Sequence, residues 1–311
     1  MKYFTPLLPF FIGCILLILE PSLSKLAVIN LSGQILLFIL LACIPAYRTG
    51  RMSYVDIAWP WGLVLIGVLT YVFSSGDWLR VLVISTAYVL IGLRMGLGAL
   101  KLWKSGWLET EFPRYQYQRR RWEKSGKTNV SLALQVEILI QGFANASFLA
   151  FPAFVIASNP QAAISVFEVL AVVFWLTAFV MESLADGQKL KFLKQMKKSG
   201  QKYKVCNVGL WAYSRHPNYF AEWMVWNGLV IASIPSWFHF LPLQQNNLSL
   251  TLWVLIGLGL LFVSRIMYLS LVYLTGAKPS EYYSSKKRPE YKTYQQTTNM
   301  FFPGPRKNSL K

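Results

Sequence analysis

The chain has 311 residues, of which 54% are hydrophobic, 15% aromatic and only 14% charged. A soluble domain carries about 25% charged residues, and several apolar runs here approach the roughly 20 residues that cross a bilayer, so the composition points to an all-α polytopic membrane protein. The net charge of +18 would suit nucleic acid, but the basic residues sit between apolar runs, where the positive-inside bias of membrane proteins explains them without a nucleic-acid partner.

The apolar runs predict eight transmembrane helices: Phe4–Leu19, Leu31–Tyr47, Tyr54–Phe73, Trp78–Leu100, Ser131–Ala157, Ala163–Ala185, Pro217–Leu241 and Leu248–Thr275. Glu20-Pro21, with no small-residue cleavage site, follows the first run, which favours a retained helix over a signal peptide. The last run is expected to bend at Gly257 and Gly259, because glycine is a weak helix former. No internal repeat or separate soluble domain is evident. One set of connections, with the two termini, holds 27 of the 31 Lys and Arg residues. Eight spans with both termini cytoplasmic place all of these on one side. The oligomeric state is left open.

Ionisable residues inside apolar runs are costly in lipid and mark functional interiors. Asp56, Arg94, Glu137, Glu182, Asp186, Asn218 and Glu222 all fall near the cytoplasmic ends of their predicted helices, and only Glu168 belongs to the outer half. Their shared depth predicts one polar cavity open to the cytoplasm. Cys14, Cys43 and Cys206 show neither disulfide nor metal-ligand spacing, and two histidines are too few for a metal site, so no metal is expected.

Four motifs carry the chemistry. In Ser53-Tyr-Val-Asp-Ile-Ala-Trp59, Asp56 sits among aromatic and apolar residues, where burial fits a carboxyl to act as an acid, unless an ion pair with Arg94 keeps it charged. In Glu182-Ser-Leu-Ala-Asp-Gly-Gln-Lys189, Glu182 and Asp186 share a helix face and could accept from ribose or amide groups, or be plain interfacial carboxylates near Lys189. The basic segment that follows, through Lys204, could hold phosphates or simply signal topology. In Trp211-Ala-Tyr-Ser-Arg-His-Pro-Asn-Tyr-Phe-Ala-Glu222, Pro217 suits the first position of a helix, so Ser214, Arg215 and His216 would ring an N-terminus able to receive an anion. Asn218, Tyr219 and Glu222 then open that helix, with Asn218 and Glu222 one turn apart on one face. The tail interleaves Tyr with Lys and Arg from Glu281 to Tyr294 and ends in Phe301-Phe302-Pro303, an expected interfacial anchor. It could fold over the cytoplasmic mouth, with Arg288 on a phosphate and a tyrosine such as Tyr291 on a purine, or it could be a solvated amphipathic helix.

These blocks, together with Lys286–Pro303, resemble the bacterial branch of the steroid 5α-reductase family, and the resemblance covers most of the chain from about Ser53. The first two predicted helices form an N-terminal transmembrane hairpin over residues 1–50, and the resemblance implies, over residues 51–311, a helical membrane domain that binds NADPH and has a cytoplasmic C-terminal tail. In the family, hydride moves to the β-carbon of an enone while an acid polarises the carbonyl. By that resemblance Asn218 and Glu222 contact the cofactor, Asp186 its adenosine side, and Tyr203 matches a nearby loop tyrosine. Asp56 corresponds to the polarising carboxyl, with Tyr88 as a plausible tyrosine partner. The sequence departs from the steroid enzymes in lacking their late histidines, which separates the cofactor expectation from steroid specificity. The implied partners are membrane lipids and a lipid-like small-molecule substrate, in a bacterial inner membrane.

Two other classes compete. An Arg-His-Pro-x-Tyr stretch followed by Glu also resembles membrane methyltransferases of isoprenylcysteine or phospholipids, which bind S-adenosylmethionine. A non-catalytic lipid-binding or transport protein is the third; polar groups gathered on one side leave it no through-path.

Overall fold

The structure is a computed structural model and describes residues 2–201, 203–241 and 247–307. Lys202 and Lys311, counted among the cytoplasmic basic residues, lie outside the described residues. The fold is all-α, and among the described residues six helical segments are long and apolar enough to cross a membrane: Pro21–Thr49, Val55–Phe73, Trp78–Lys104, Val130–Ala157, Val166–Lys198 and Ser249–Lys287. All eight expected segments are helical, but two fall short as spans. Thr5–Leu19 is too short, and Pro217–His239, although 23 residues long, is too polar along its first turns.

Contacts between Cα atoms divide the chain into two compact units. The first comprises Met1–Leu170 and Leu229–Val263, the second Ala171–Gly228 and Ser264–Lys311.

In the first unit, α1 (Leu8–Leu19) leads into α2 (Pro21–Phe38), which continues through a π-turn (Ile39–Cys43) into α3 (Ile44–Thr49). Pro45 cannot donate to the helix ladder, and a wide turn beside it absorbs the misfit. Gln135 donates to the Cys43 carbonyl in that turn at 3.1 Å. The second expected helix, begun at Leu31, therefore starts ten residues earlier at Pro21 and takes in Lys25, which was expected in an outer loop. Its buried Asn30 and Gln34 concealed the apolar pattern. They are satisfied inside the unit: Gln34 donates to Asn30 (3.1 Å) and to the Gly62 carbonyl (2.8 Å), and Asn30 to the Asn145 carbonyl (3.2 Å). Small residues and side-chain amides of this kind hold helices together where lipid removes the hydrophobic drive.

Next come α4 (Val55–Phe73) and α5 (Trp78–Lys104), the latter capped by Asp77 on the Leu79 and Arg80 amides at 3.1 and 3.2 Å. These two helices touch along bare backbone: a Cβ at Gly92 would lie 2.6 Å from the Pro60 carbonyl oxygen, and one at Gly67 2.7 Å from that of Ser85. α6 (Pro113–Lys124) is a short basic helix outside the spans. α7 (Val130–Ala146) and α8 (Phe151–Ala157) form one span broken near Ser147.

α9 (Val166–Lys198) enters the second unit, as does α10 (Pro217–His239) by its first turns. α11 (Asn247–Leu269) continues as α-helix through Gly257 and Gly259. Those glycines admit the rings of Trp237 and Phe151 against the backbone, and the irregular turn falls later, at Ser270–Leu274. α12 (Ala277–Lys287) and α13 (Tyr291–Thr297) close the chain before the tail.

Candidate functional site

In the second unit, α10 begins at Pro217, as its proline and the polar residues before it predict. The loop leading to it is fastened to α9. Leu210 donates its amide to Gln188 Oε1 (2.9 Å), and the Trp211 indole donates to the Ala185 carbonyl (2.9 Å). The Lys189 ammonium lies 4.2 Å from the Trp211 ring centroid. The tail crosses the same loop. Arg215 donates its amide to the Asn299 carbonyl (2.8 Å), Ser214 its hydroxyl to the Phe301 carbonyl (2.9 Å), and Gly304 its amide to the Tyr213 carbonyl (3.1 Å). Phe301, expected as an interfacial anchor, is instead buried among Phe220, Trp223 and Tyr268, while Phe302 stays exposed. The tail is thus a fixed wall of the unit.

One residue that the sequence reading passed over organises this wall. Glu281 on α12 accepts from Arg215 Nε (2.7 Å) and Nη2 (3.1 Å), from His216 Nε2 (3.1 Å) and from Gln295 Nε2 (2.8 Å). Arg215 Nη1 donates to the Gln295 carbonyl at 2.9 Å and also to that of Thr298. All three guanidinium nitrogens are therefore engaged inside the protein, which makes Arg215 a clamp between the tail and the start of α10. Burial pushes the His216 imidazole below its ordinary pKa; the Glu281 carboxylate opposes that shift and fixes the Nε2–H tautomer. The ring stacks on Tyr219 with centroids 5.2 Å apart and planes 1° from parallel.

A cavity of about 280 Å³ opens beside these groups. Of the eleven residues expected to bind a cofactor, seven line it: Lys189, Arg215, His216, Asn218, Tyr219, Arg288 and Tyr291. They come from α9, the loop before α10, α10, the junction after α12, and α13. Val205, Cys206, Trp211, Ser280, Ser284 and Tyr294 complete the lining, and none of them was expected to bind a cofactor. Burial raises the Cys206 thiol, which keeps it protonated and inert. Asn218 Nδ2 donates to Asp186 Oδ1 at 3.0 Å, joining two expected site residues, while the buried Asn218 Oδ1 has no hydrogen-bond partner. Tyr203 lies in the loop with φ +64° and lines a neighbouring cavity with Arg288. Glu182 is buried one turn before Asp186, and Glu222 is half-buried one turn after Asn218; neither lines this cavity.

The first unit holds the expected catalytic group: Asp56, its expected tyrosine partner Tyr88 and its expected ion-pair partner Arg94. Asp56, in the first turn of α4, accepts from the Arg114 guanidinium on one oxygen and from the Tyr115 hydroxyl on the other. Tyr115 is therefore the tyrosine in contact with Asp56. Burial first, and then the Asp56 carboxylate, push its hydroxyl well above the usual tyrosine range. Tyr88, fully buried on α5, donates instead to the Leu149 carbonyl at 2.5 Å. Arg94 is half-buried on α5. Nearby, Glu111 accepts from the Met52 (2.8 Å) and Ser53 (3.1 Å) amides, so two carboxylates dock α6 and its approach onto the start of α4. The basic composition of Pro113–Lys124 made this segment read as a plain loop. Among the described residues no cluster of His, Cys, Asp and Glu could hold a metal ion.

No curated protein and no solved structure matches the chain. The family described as "Protein of unknown function (DUF1295)" matches residues 43–298, and with that match spanning most of its length, the chain belongs to this family.

Proposed function

We propose that the protein is a membrane-embedded NADPH-dependent reductase of a C=C bond conjugated to a carbonyl, acting on a lipid-like substrate of steroid or isoprenoid type. Its basic loops and both termini face the cytoplasm of a bacterial inner membrane in this reading. Membership of the DUF1295 family supports it, since that family is associated with steroid 5α-reductase-like proteins.

The observation that carries the reading is the unpartnered Asn218 Oδ1 on a cavity that also presents two cations, Lys189 and Arg288, and two tyrosine rings, Tyr219 and Tyr291. A buried acceptor without a donor asks for one from a ligand. Cations suit phosphate oxygens, and aromatic faces suit flat heterocycles. This donor set fits a nucleotide-type cofactor, and NADPH, when bound, supplies a hydride. Lys189 and Arg288 hold its phosphates, Asn218 accepts from a hydroxyl or amide group, and Glu281 acts indirectly by fixing Arg215 and His216.

The cavity volume keeps a second reading in view. About 280 Å³ is at the low end for small-molecule sites, ~300–1,000 Å³, and suits an adenosine-sized group. S-adenosylmethionine also presents adenosine, so a membrane methyltransferase is the alternative. The test is NADPH oxidation by the protein in proteoliposomes, with a panel of lipid enones and their saturated analogues. Oxidation with an enone but not with its saturated partner is expected. Methyl transfer from S-adenosylmethionine, with no NADPH oxidation by any enone, would overturn the reading.

A further inference from the structure

In the second unit, Arg265 on α11 is exposed, and among the described residues it has neither a hydrogen-bond nor an ion-pair partner. It is also the only charged residue between Ser249 and Ala277. Any window of about 20 residues within that stretch contains it, so Arg265 enters the hydrocarbon layer wherever α11 crosses. A guanidinium there is costly and persists where an anion meets it. No described carboxylate does so, and the anion therefore comes from outside the chain.

The neighbours of Arg265 point to a lipid headgroup. Tyr268 lies three residues on, on the same helix face. Its ring is 5.9 Å from that of Trp223 and 6.3 Å from that of Phe302. The Trp223 indole is itself satisfied, donating to the Ser264 carbonyl at 3.0 Å. Tyr273 follows with its ring 6.1 Å from Tyr268, and the Lys278 ammonium lies 4.3 Å from the Tyr273 centroid. Tyr273 and Phe302 are 37% and 53% exposed. Aromatic rings of this kind gather at the level of lipid headgroups. Arg265 is then about 4.5 Å below that level along the helix, from where its long side chain reaches phosphate by snorkelling. The nearest carboxylate in sequence, Glu281, is committed to Arg215 and His216. The patch thus keeps the positive charge of Arg265 and Lys278, which favours a headgroup of net negative charge over a zwitterionic one.

We propose that Arg265, Lys278 and the rings between them bind an anionic phospholipid from the leaflet on the tail's side of the bilayer. The two cations hold the headgroup, and the rings pack on the upper part of an acyl chain. The bound lipid presses Phe302, and with it the tail, against α10 and α11. None of these residues lines the cavity beside Asn218, so the site is separate from that of a nucleotide. Removing the charge of Arg265 loses one charged hydrogen bond to phosphate, which weakens binding by about tenfold.

The test is thermal unfolding of the full-length protein in micelles of an uncharged detergent, titrated with phosphatidylglycerol or with phosphatidylcholine. The wild type is compared with Arg265→Gln, Arg265→Lys and Lys101→Gln, each against its own lipid-free midpoint. Lys101, exposed in the last turn of α5, lies outside this patch. A lipid that binds the folded protein raises the midpoint as its concentration rises. Phosphatidylglycerol is expected to do so at lower concentration than phosphatidylcholine. Arg265→Gln should need about tenfold more phosphatidylglycerol for the same rise, while Arg265→Lys and Lys101→Gln stay close to the wild type. Equal rises with the two lipids, or an Arg265→Gln titration like that of the wild type or of Lys101→Gln, would overturn the proposal. An equal rise with inorganic phosphate alone would make the ligand a soluble anion and overturn it too. A midpoint that climbs with protein concentration instead of lipid would give the face to a second copy of the chain, with the same consequence.

Discussion

Asn218 donates its side-chain amide to the Asp186 carboxylate at 3.0 Å, and this bond joins the first turn of α10 to the polar end of α9. It also orients Asn218 so that Oδ1 is left buried and unpartnered. Asn218→Ala should therefore weaken ligand binding by about tenfold, the usual worth of a hydrogen bond to a buried group, with little change in thermal stability. Binding and melting measured on the same preparation check this. A large loss of stability with unchanged affinity would make the bond structural.

Glu281 is the counter-ion of a buried node. Glu281→Ala would leave Arg215 and His216 buried without their carboxylate, and breaking a buried pair from one side costs about 3–5 kcal/mol. The melting midpoint in detergent should fall by several degrees. Glu281→Gln keeps one acceptor oxygen and should fall less. Equal, negligible shifts in the two variants would show that the node carries no stability.

His216 gives the node a pH dependence of definite sign. Its folded pKa lies below the ordinary value near 6.5, chiefly through burial. Between the two values the unfolded chain binds more protons than the folded one, so stability rises with pH across that window. The contribution is fully present above about pH 6.5 and is lost as pH falls through the depressed folded value. The melting midpoint should drop on going from neutral to mildly acidic buffer, and the drop should shrink in His216→Asn. An identical drop in that variant would assign the effect to other groups.

Asp56 anchors α6 through Arg114 and Tyr115. Arg114 is 36% exposed, so solvent screens the ion pair and the anchor is worth about 1 kcal/mol. Asp56→Ala should raise the rate of tryptic cleavage within Pro113–Lys124 by about fivefold. An unchanged rate would free Asp56 from this structural role.

The start of α10 was legible because Pro217 carries a local rule, and the membrane class because apolar runs need no partner to be read. The gathering of Lys189, Asn218, Arg288 and Tyr291 was also legible in outline, since charge placed them on one side. Other features depend on pairing at a distance. Glu281 is 66 residues from Arg215 and reads as a surface glutamate in a basic tail. The partners of Asp56 lie 58 and 59 residues away in a segment whose arginines suggest solvent. Asn30 and Gln34 break the apolar pattern of α2 because their hydrogen bonds are made to α4 and α7, which a local window does not contain.

The most direct test of the central claim is equilibrium binding of NADPH and of S-adenosylmethionine to the detergent-purified protein, with Asn218→Ala as the control. The account predicts saturable NADPH binding that the substitution weakens by about tenfold, and no saturable binding of S-adenosylmethionine. Tight S-adenosylmethionine binding with none for NADPH would contradict it.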